Sequence, residues 1–486
     1  MRKLILFAFL WVLGPIFAQE ITVEKIWKKY EYWSKGVEGF NSLKDGDRYT
    51  QLDDQGNLVL VYVSKPTETP TVLISASSLN FQGKSISIED YSFDKSEEKV
   101  LIMTEIAPIY RRSYTAVYYL YDLKTKKLQA LSDGKARQTL AEYSPDGTKV
   151  SYIQGNDLFV KDIASGKITK ITNDGKRNKV INGTTDWVYE EEFSITKAYS
   201  WSPDSKYIAF LKFIEKDVKD FSFDVYGELY PESYKYKYPK AGEDNSIVTA
   251  HWVDISKPTK INTFGLGNYE YIPRIQWSSI SNQLIIQTMN RHQDSLRYHL
   301  VDFEASKTPF HKLLYTDCSN TYVDVNESLY FTKNGMGFYF ASEKSGFNQL
   351  YSIDFEGQIN AITSGEYDVI DVYGPSQGAD YFYYSRASQG GISKTLCRVN
   401  LSSMAVEILS PAEGWMEASF TQGMKYFVGT YSNANTPPLA ALYQGNGQLI
   451  KTMEDNQMLK QTLSKLTLSE KTFKTIEVNG VKLNAS

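Results

Sequence analysis

Only two cysteines, Cys318 and Cys397, occur in the 486-residue chain, so no disulfide framework holds the fold, and neither belongs to a CxxC pair. Histidine is nearly as scarce. His251, His292, His299 and His311 leave little material for a metal site, and no spaced partner set accompanies them. Positive charge is not in excess either: 53 Lys and Arg face 57 Asp and Glu, for a net charge of −4. A dedicated nucleic-acid binder needs surplus cations to neutralise phosphates, so that class is set aside. Beyond the first twenty residues no run is apolar enough to cross a membrane. HExxH, EF-hand and dinucleotide fingerprints are missing. Gly83-Lys84-Ser85 lacks the first glycine of a phosphate loop, because position 78 is Ser78.

Aromatic residues, by contrast, are plentiful. Thirty-six Tyr and 24 Phe help raise the aromatic share to 14%, which suits pleated strands better than helices. Hydrophobic residues at 42% and charged residues at 23% give a globular balance. At the start, Arg2 and Lys3 precede the apolar run from Leu4 to Leu13, and Gly14-Pro15 breaks it before Ala18-Gln19. That order is the plan of a secretory signal, so residues 1–18 are expected to be a signal peptide and the chain to be exported, periplasmic or secreted.

A turn phrase recurs through the chain, each time followed by a strand-like run. Ser144-Pro145-Asp146-Gly147 leads into Val150-Ser151-Tyr152-Ile153, and Ser202-Pro203-Asp204-Ser205 leads into Tyr207-Ile208-Ala209-Phe210-Leu211. Weaker copies begin near Asp45-Gly46, Phe93-Asp94, Ser278-Ser279, Asn334-Gly335, Gln377-Gly378 and Gln422-Gly423. Asp, Asn, Pro and Gly supply a tight turn, and the run after it reads as a strand with one buried face. Eight such units, most about 45–60 residues apart, fall in the period range of propeller blades. The expected fold is therefore all-β: an eight-bladed β-propeller over residues 44–458, with a β-sandwich pair or a β-helix as the alternative. The longer interval holding residues 220–245 reads as an insertion projecting from one blade. Short helical flanks are expected within 20–33 and 455–469. The segment from Phe473 onward reads as a strand, an Asn479-Gly480 turn and a second strand.

Three segments invite a chemical reading. Gly374-Pro375-Ser376-Gln377-Gly378 matches the GxSxG nucleophile elbow, but a strand-like run follows instead of a helix and no histidine occurs after His311. It is read as a blade turn. Asp186-Trp187-Val188-Tyr189-Glu190-Glu191-Glu192 sets three carboxylates in a row among bulky aromatics. Such a triplet is either a solvated run or, anchored by Trp187, Tyr189 and Phe193, a cation-binding cluster. In Tyr110-Arg111-Arg112-Ser113-Tyr114 an arginine is either a salt-bridged surface group or a donor to a carbonyl or carboxylate.

The stretch from Asp186 to Glu192 resembles the double-glutamate motif of the dipeptidyl peptidase IV family, within the prolyl oligopeptidase superfamily. Tyr110 to Tyr114, Tyr238-Pro239-Lys240-Ala241-Gly242 with Asn245, and Glu454-Asp455-Asn456 match in order. The resemblance covers essentially the whole chain after the signal and is nearest to bacterial exported members. It implies a propeller capping an α/β-hydrolase domain, and an enzyme that removes dipeptides from peptide N-termini with Pro or Ala in second position. It further implies that Glu191 and Glu192 grip the substrate's α-ammonium, with Glu190 the first, less critical glutamate, and that Arg111 holds the backbone carbonyl of the N-terminal residue. No cofactor or metal is implied. The 220–245 insertion would help pair two subunits. The family's nucleophilic Ser, Asp and His belong to a hydrolase domain that would begin near Phe473, so 19–43 is read as a flank and 459–486 as a linker and the first hydrolase strands. The 486 residues therefore carry no catalytic residue of this type. A stand-alone propeller that binds or scaffolds peptides is the alternative function, and an enzyme with unrecognised chemistry is a third.

Overall fold

The computed structural model describes residues 21–37, 39–132, 136–304, 309–327 and 329–486. The expected signal segment, 1–18, lies outside them. Eight antiparallel blades follow one another along the chain, at 41–74, 90–130, 139–170, 180–263, 271–318, 330–361, 369–408 and 415–454. Each is built from consecutive strands, as in the blade over 139–170, whose four strands pair in chain order.

The recurrent turn phrase joins the first strand of a blade to the second. Its chemistry is local. In the third blade the Ser144 hydroxyl donates to Asp146 Oδ1 at 2.6 Å, and the same oxygen accepts the Thr148 amide at 3.0 Å. Ser202 and Asp204 repeat this in the fourth blade, and Thr332 and Asn334 in the sixth. The turn then needs a left-handed residue, which Gly147, Gly335 and Gly423 supply at φ 67–69°. Each blade thus opens one strand before the phrase that announces it. In the first blade that strand is Asn41–Ser42, ahead of residue 44.

The central strands differ from the one-buried-face reading. Val100, Leu101, Ile102 and Met103 are buried in succession, as are all seven residues of Gln283–Met289. Val100 and Ile102 join Leu58 and Ile74 of the first blade, whereas Leu101 and Met103 join Val150 and Tyr152 of the third. Alternate side chains thus enter opposite inter-blade layers. Both faces of a blade are interior, which is why the strand reads as an unbroken apolar run.

Closure of the ring joins residues from the two ends of the blade series. The Gln422 amide donates to the Ser42 hydroxyl at 2.9 Å, and the Gln422 carbonyl lies so near Gly46 that a Cβ there would sit 2.3 Å away. Asn456, 4% exposed, accepts the Lys35 amide at 2.7 Å. It also donates to the Lys35 carbonyl at 3.0 Å and the Pro438 carbonyl at 2.8 Å. Between the last two blades, the buried Lys394 ammonium contacts Asp371 at 2.9 Å and Glu417 at 2.6 Å.

The insertion is a two-stranded hairpin, Asp220–Val225 with Glu232–Lys237, rising between two strands of the fourth blade. Its end exposes Val225, Tyr226, Leu229 and Tyr230. The helical flanks are shorter than their pattern, at Val23–Trp27 and Gln457–Leu463. A hairpin, Lys474–Val478 with Val481–Ala485, turns at Asn479-Gly480. Cys318 is exposed in the fifth blade, Cys397 is buried in the seventh, and both are free. Among the described residues no helix is long and apolar enough to cross a membrane.

Asn456→Ala removes three bonds that bind the N-terminal flank to the last blade. An expected loss of about 2–4 kcal/mol in unfolding free energy should appear as an earlier denaturant midpoint. An unchanged midpoint would show that closure does not depend on this residue.

Candidate functional site

Between the two short first strands of the fourth blade, Val180–Asn182 and Tyr199–Trp201, the chain leaves the sheet and forms a five-residue helix, Trp187–Glu191. Asp186 caps it. One carboxylate oxygen accepts the Tyr189 amide at 3.0 Å, and the other accepts the Ser246 hydroxyl at 2.6 Å. Burial pushes the Asp186 carboxyl up, with these two bonds opposing the shift. Tyr189 and Phe193, four positions apart, face the core. Tyr189 meets Phe193 at 5.0 Å and Phe213 at 4.8 Å between ring centres, and its phenol accepts the Ile272 amide at 2.8 Å. With these two turned inward, Glu191 and Glu192 point elsewhere.

The arginine segment closes the hairpin between Lys99–Pro108 and Tyr114–Asp122 in the second blade. Glu190, 1% exposed, reaches it across the third blade. One carboxylate oxygen accepts the Arg112 amide at 2.6 Å and the Ser113 amide at 2.8 Å. Arg112 answers by donating a guanidinium N–H to the Glu190 carbonyl at 2.9 Å. Arg111 Nε then meets Glu191 Oε2 at 2.9 Å, with the arginine side chain 72% exposed and the glutamate 17%. So exposed a pair contributes at most about 1 kcal/mol, and its consequence is orientation more than stability. Glu192 is exposed at the helix end. Tyr322, in the link between the fifth and sixth blades, lies within electrostatic reach of it. Its phenol is pushed up by partial burial, then by Asp324 and Glu192.

The structure therefore brings Arg111 and Glu191 into contact, with Glu192 next along the helix. Sequence reasoning missed the bond from Arg112 to Glu190, and missed that Glu190 faces inward. Nothing local marks Glu190 for burial: on helical spacing Glu190 and Glu192 lie equally far from the inward face of Tyr189 and Phe193, and the loop at Arg112 and Ser113 separates them.

The projecting hairpin backs both halves of the site. Tyr236 packs on Tyr110 at 5.9 Å and Tyr238 packs on Trp187 at 4.4 Å. Beneath them lies a cavity of 590 Å³, lined in part by Tyr110, Asp186, Glu190, Arg177, Glu215 and Lys237. Burial pushes the Glu215 carboxyl up to about 7. Asp186 adds to the shift, whereas Lys237 and Arg177 oppose it.

Other chemistry is thin. Among the described residues no group of three His, Cys, Asp or Glu is arranged to hold a metal ion. His299 stacks on His311 and burial lowers its pKa to about 4, and His251 is lowered to about 4 in the same way. In the GxSxG segment, Ser376 Oγ accepts the Asp380 and Tyr381 amides at 3.2 Å within a blade turn.

Comparison with known proteins bears on the family and the fold. Residues 94–438, more than half of the chain, match the family described as the Dipeptidyl peptidase IV (DPP IV) N-terminal region. The chain belongs to the dipeptidyl peptidase IV family. A crystal structure of Porphyromonas gingivalis dipeptidyl peptidase 4 superposes with a TM-score of 0.88 at 30% identity, covering 96% of this chain and 66% of that one. Prolyl endopeptidase FAP of Homo sapiens is 24% identical over 470 residues, 90% of this chain and 60% of that protein. A probable dipeptidyl-aminopeptidase B of Chaetomium globosum is 29% identical over 428 residues, 80% of this chain and 45% of that protein. The 486 residues thus span about half to three-fifths of these two relatives, and they are the N-terminal propeller region of a dipeptidyl peptidase IV-like protein.

Glu215 gives the site region a pH signature. Its protonated form is favoured in the fold, so its contribution is complete below the ordinary carboxyl value of 4.5 and is lost as pH rises through about 7. Glu215→Gln should therefore stabilise the protein at pH 8 by on the order of 2 kcal/mol and change little at pH 4. Thermal unfolding of both proteins at the two pH values measures this, and equal effects at both would exclude the assignment.

Proposed function

We propose that this propeller binds the free N-terminus of a peptide, with Glu191 and Glu192 holding the α-ammonium and Arg111 the first backbone carbonyl. The contact of Arg111 with Glu191 carries the reading: one cation donor and one carboxylate, drawn from two different blades, meet on an accessible surface. An ammonium offers three donors and would bridge the two glutamates, while a side chain as exposed as Arg111 keeps donors for a carbonyl oxygen. Charge-assisted bonds at both ends of the first residue fix its direction and reject blocked or internal peptides.

Such a grip acts as a ruler. With the terminus held, the bond two residues inward is presented at a constant distance to a nucleophile elsewhere, which converts binding energy into positioning. The activity proposed for the whole protein is release of N-terminal dipeptides after Pro or Ala, by a serine nucleophile in a hydrolase domain that is not among these 486 residues. We further propose that the protein is exported, as residues 1–18 suggest, and that the apolar end of the 220–237 hairpin pairs two subunits.

Two measurements test the reading. Fluorescence anisotropy with a labelled Ala-Pro peptide should register binding for the free N-terminus and none for the acetylated form. Glu191→Ala with Glu192→Ala should weaken it by at least about tenfold, given about 1–3 kcal/mol per charged hydrogen bond. Equal affinity for free and acetylated peptides would overturn the proposal. The same preparation should release no dipeptide from a Gly-Pro chromogenic substrate, and measurable release would refute the assignment of catalysis to another domain.

A further inference from the structure

Arg111 and Glu191 come from the second and fourth blades, whose sheets are separated by the third blade and meet only through their projecting loops. Inter-blade packing therefore fixes their separation only through an intervening sheet. Beside the ring contact of Tyr236 with Tyr110, the tie to the loop backbone is Glu190. Its side chain is 1% exposed, and one oxygen, Oε1, accepts both the Arg112 amide at 2.6 Å and the Ser113 amide at 2.8 Å. The reverse bond, from the Arg112 guanidinium to the Glu190 carbonyl at 2.9 Å, makes the tie reciprocal. On its own side the loop is closed by Ile109 N–H to the Ser113 carbonyl at 2.8 Å and Tyr110 N–H to the Ser113 hydroxyl at 3.2 Å.

We infer that Glu190 is a positioning residue: a buried latch that holds the Arg111 loop in register with Glu191, so that the peptide terminus meets both at once. The inference rests on the proposed peptide grip and adds the device that sets its geometry. Glu190 and Glu191 are consecutive in one short helix, so any shift of the loop against the latch changes the distance from Arg111 to Glu191 directly. The side chain of Arg111 is mobile enough to sample many rotamers at 72% exposure, and its backbone must be fixed for the pair to recur. Two amides on a single carboxylate oxygen fix that backbone. The latch does not require charge in principle, since an amide carbonyl oxygen offers the same two lone pairs.

That last point gives the test. In the 486-residue chain, Glu190→Gln should keep affinity for the labelled Ala-Pro peptide within about twofold, whereas Glu190→Ala should weaken it about tenfold, the scale of a lost buried hydrogen-bond pair. Hydrogen exchange at the Arg112 and Ser113 amides should rise in Glu190→Ala and stay slow in Glu190→Gln. This arm needs no ligand, so the latch and the peptide reading fail separately. Should Glu190→Ala not fold, Arg112→Ala decides: it removes only the reverse bond and should speed exchange at Ser113 while the fold persists. Unchanged exchange in Glu190→Ala, or in Arg112→Ala where that variant decides, would overturn the latch. So would equal loss of affinity in the Gln and Ala variants, which would assign Glu190 a role through charge.

Discussion

A blade of this protein has no outside face. Val100 and Ile102 pack toward one neighbour and Leu101 and Met103 toward the other, and every residue of the strand Gln283–Met289 is likewise buried. A sheet apolar on both sides needs a partner on both sides, and for a row of such sheets the economical solution is a closed ring. Hydrophobic burial favours closure, but polar contacts set its register. Ser42 with Gln422, and Lys35 with Asn456, join the ends of the chain's blade series.

The site exists because the chain leaves this regular pattern in two places. The second blade extends its central hairpin to Tyr110–Ser113, and the fourth interrupts its first strand with a five-residue helix. Such a helix is too short to be stable alone. It is held by the Asp186 cap at one end, by Tyr189 and Phe193 beneath, and by Glu190 on the flank. Tilted ring contacts of Tyr236 with Tyr110 and of Tyr238 with Trp187 add a common backing from the projecting hairpin and the residue after it. Rigid support under charged side chains suits the peptide-terminus site proposed for Arg111, Glu191 and Glu192.

Much of the fold was legible in the chain because turns report themselves locally. A Ser or Thr followed two residues later by Asp or Asn, then a left-handed residue (Gly147, Ser205 or Gly335), builds its own hydrogen bonds within five residues, as at Ser144, Ser202 and Thr332. The first strand of each blade was harder to place, since strands as short as Asn41–Ser42 carry almost no pattern. For the site, the resemblance to the family pointed to Arg111, Glu191 and Glu192, but the burial that separates three successive glutamates was not visible. Burial separates Glu190 from its neighbours, and burial depends on a loop 78 residues earlier in the chain.

The sequence by itself determined the number of blades, the positions of their turns, the insertion and the charged residues available for recognition. These follow from short-range hydrogen bonding and from the apolar period, which act within a few residues. Only the tertiary structure decided which carboxylate meets the arginine, which one is buried against the neighbouring amides, and which aromatic residues stand behind them. Those assignments depend on the distance between two blades separated by a third, a quantity fixed by packing around the whole ring.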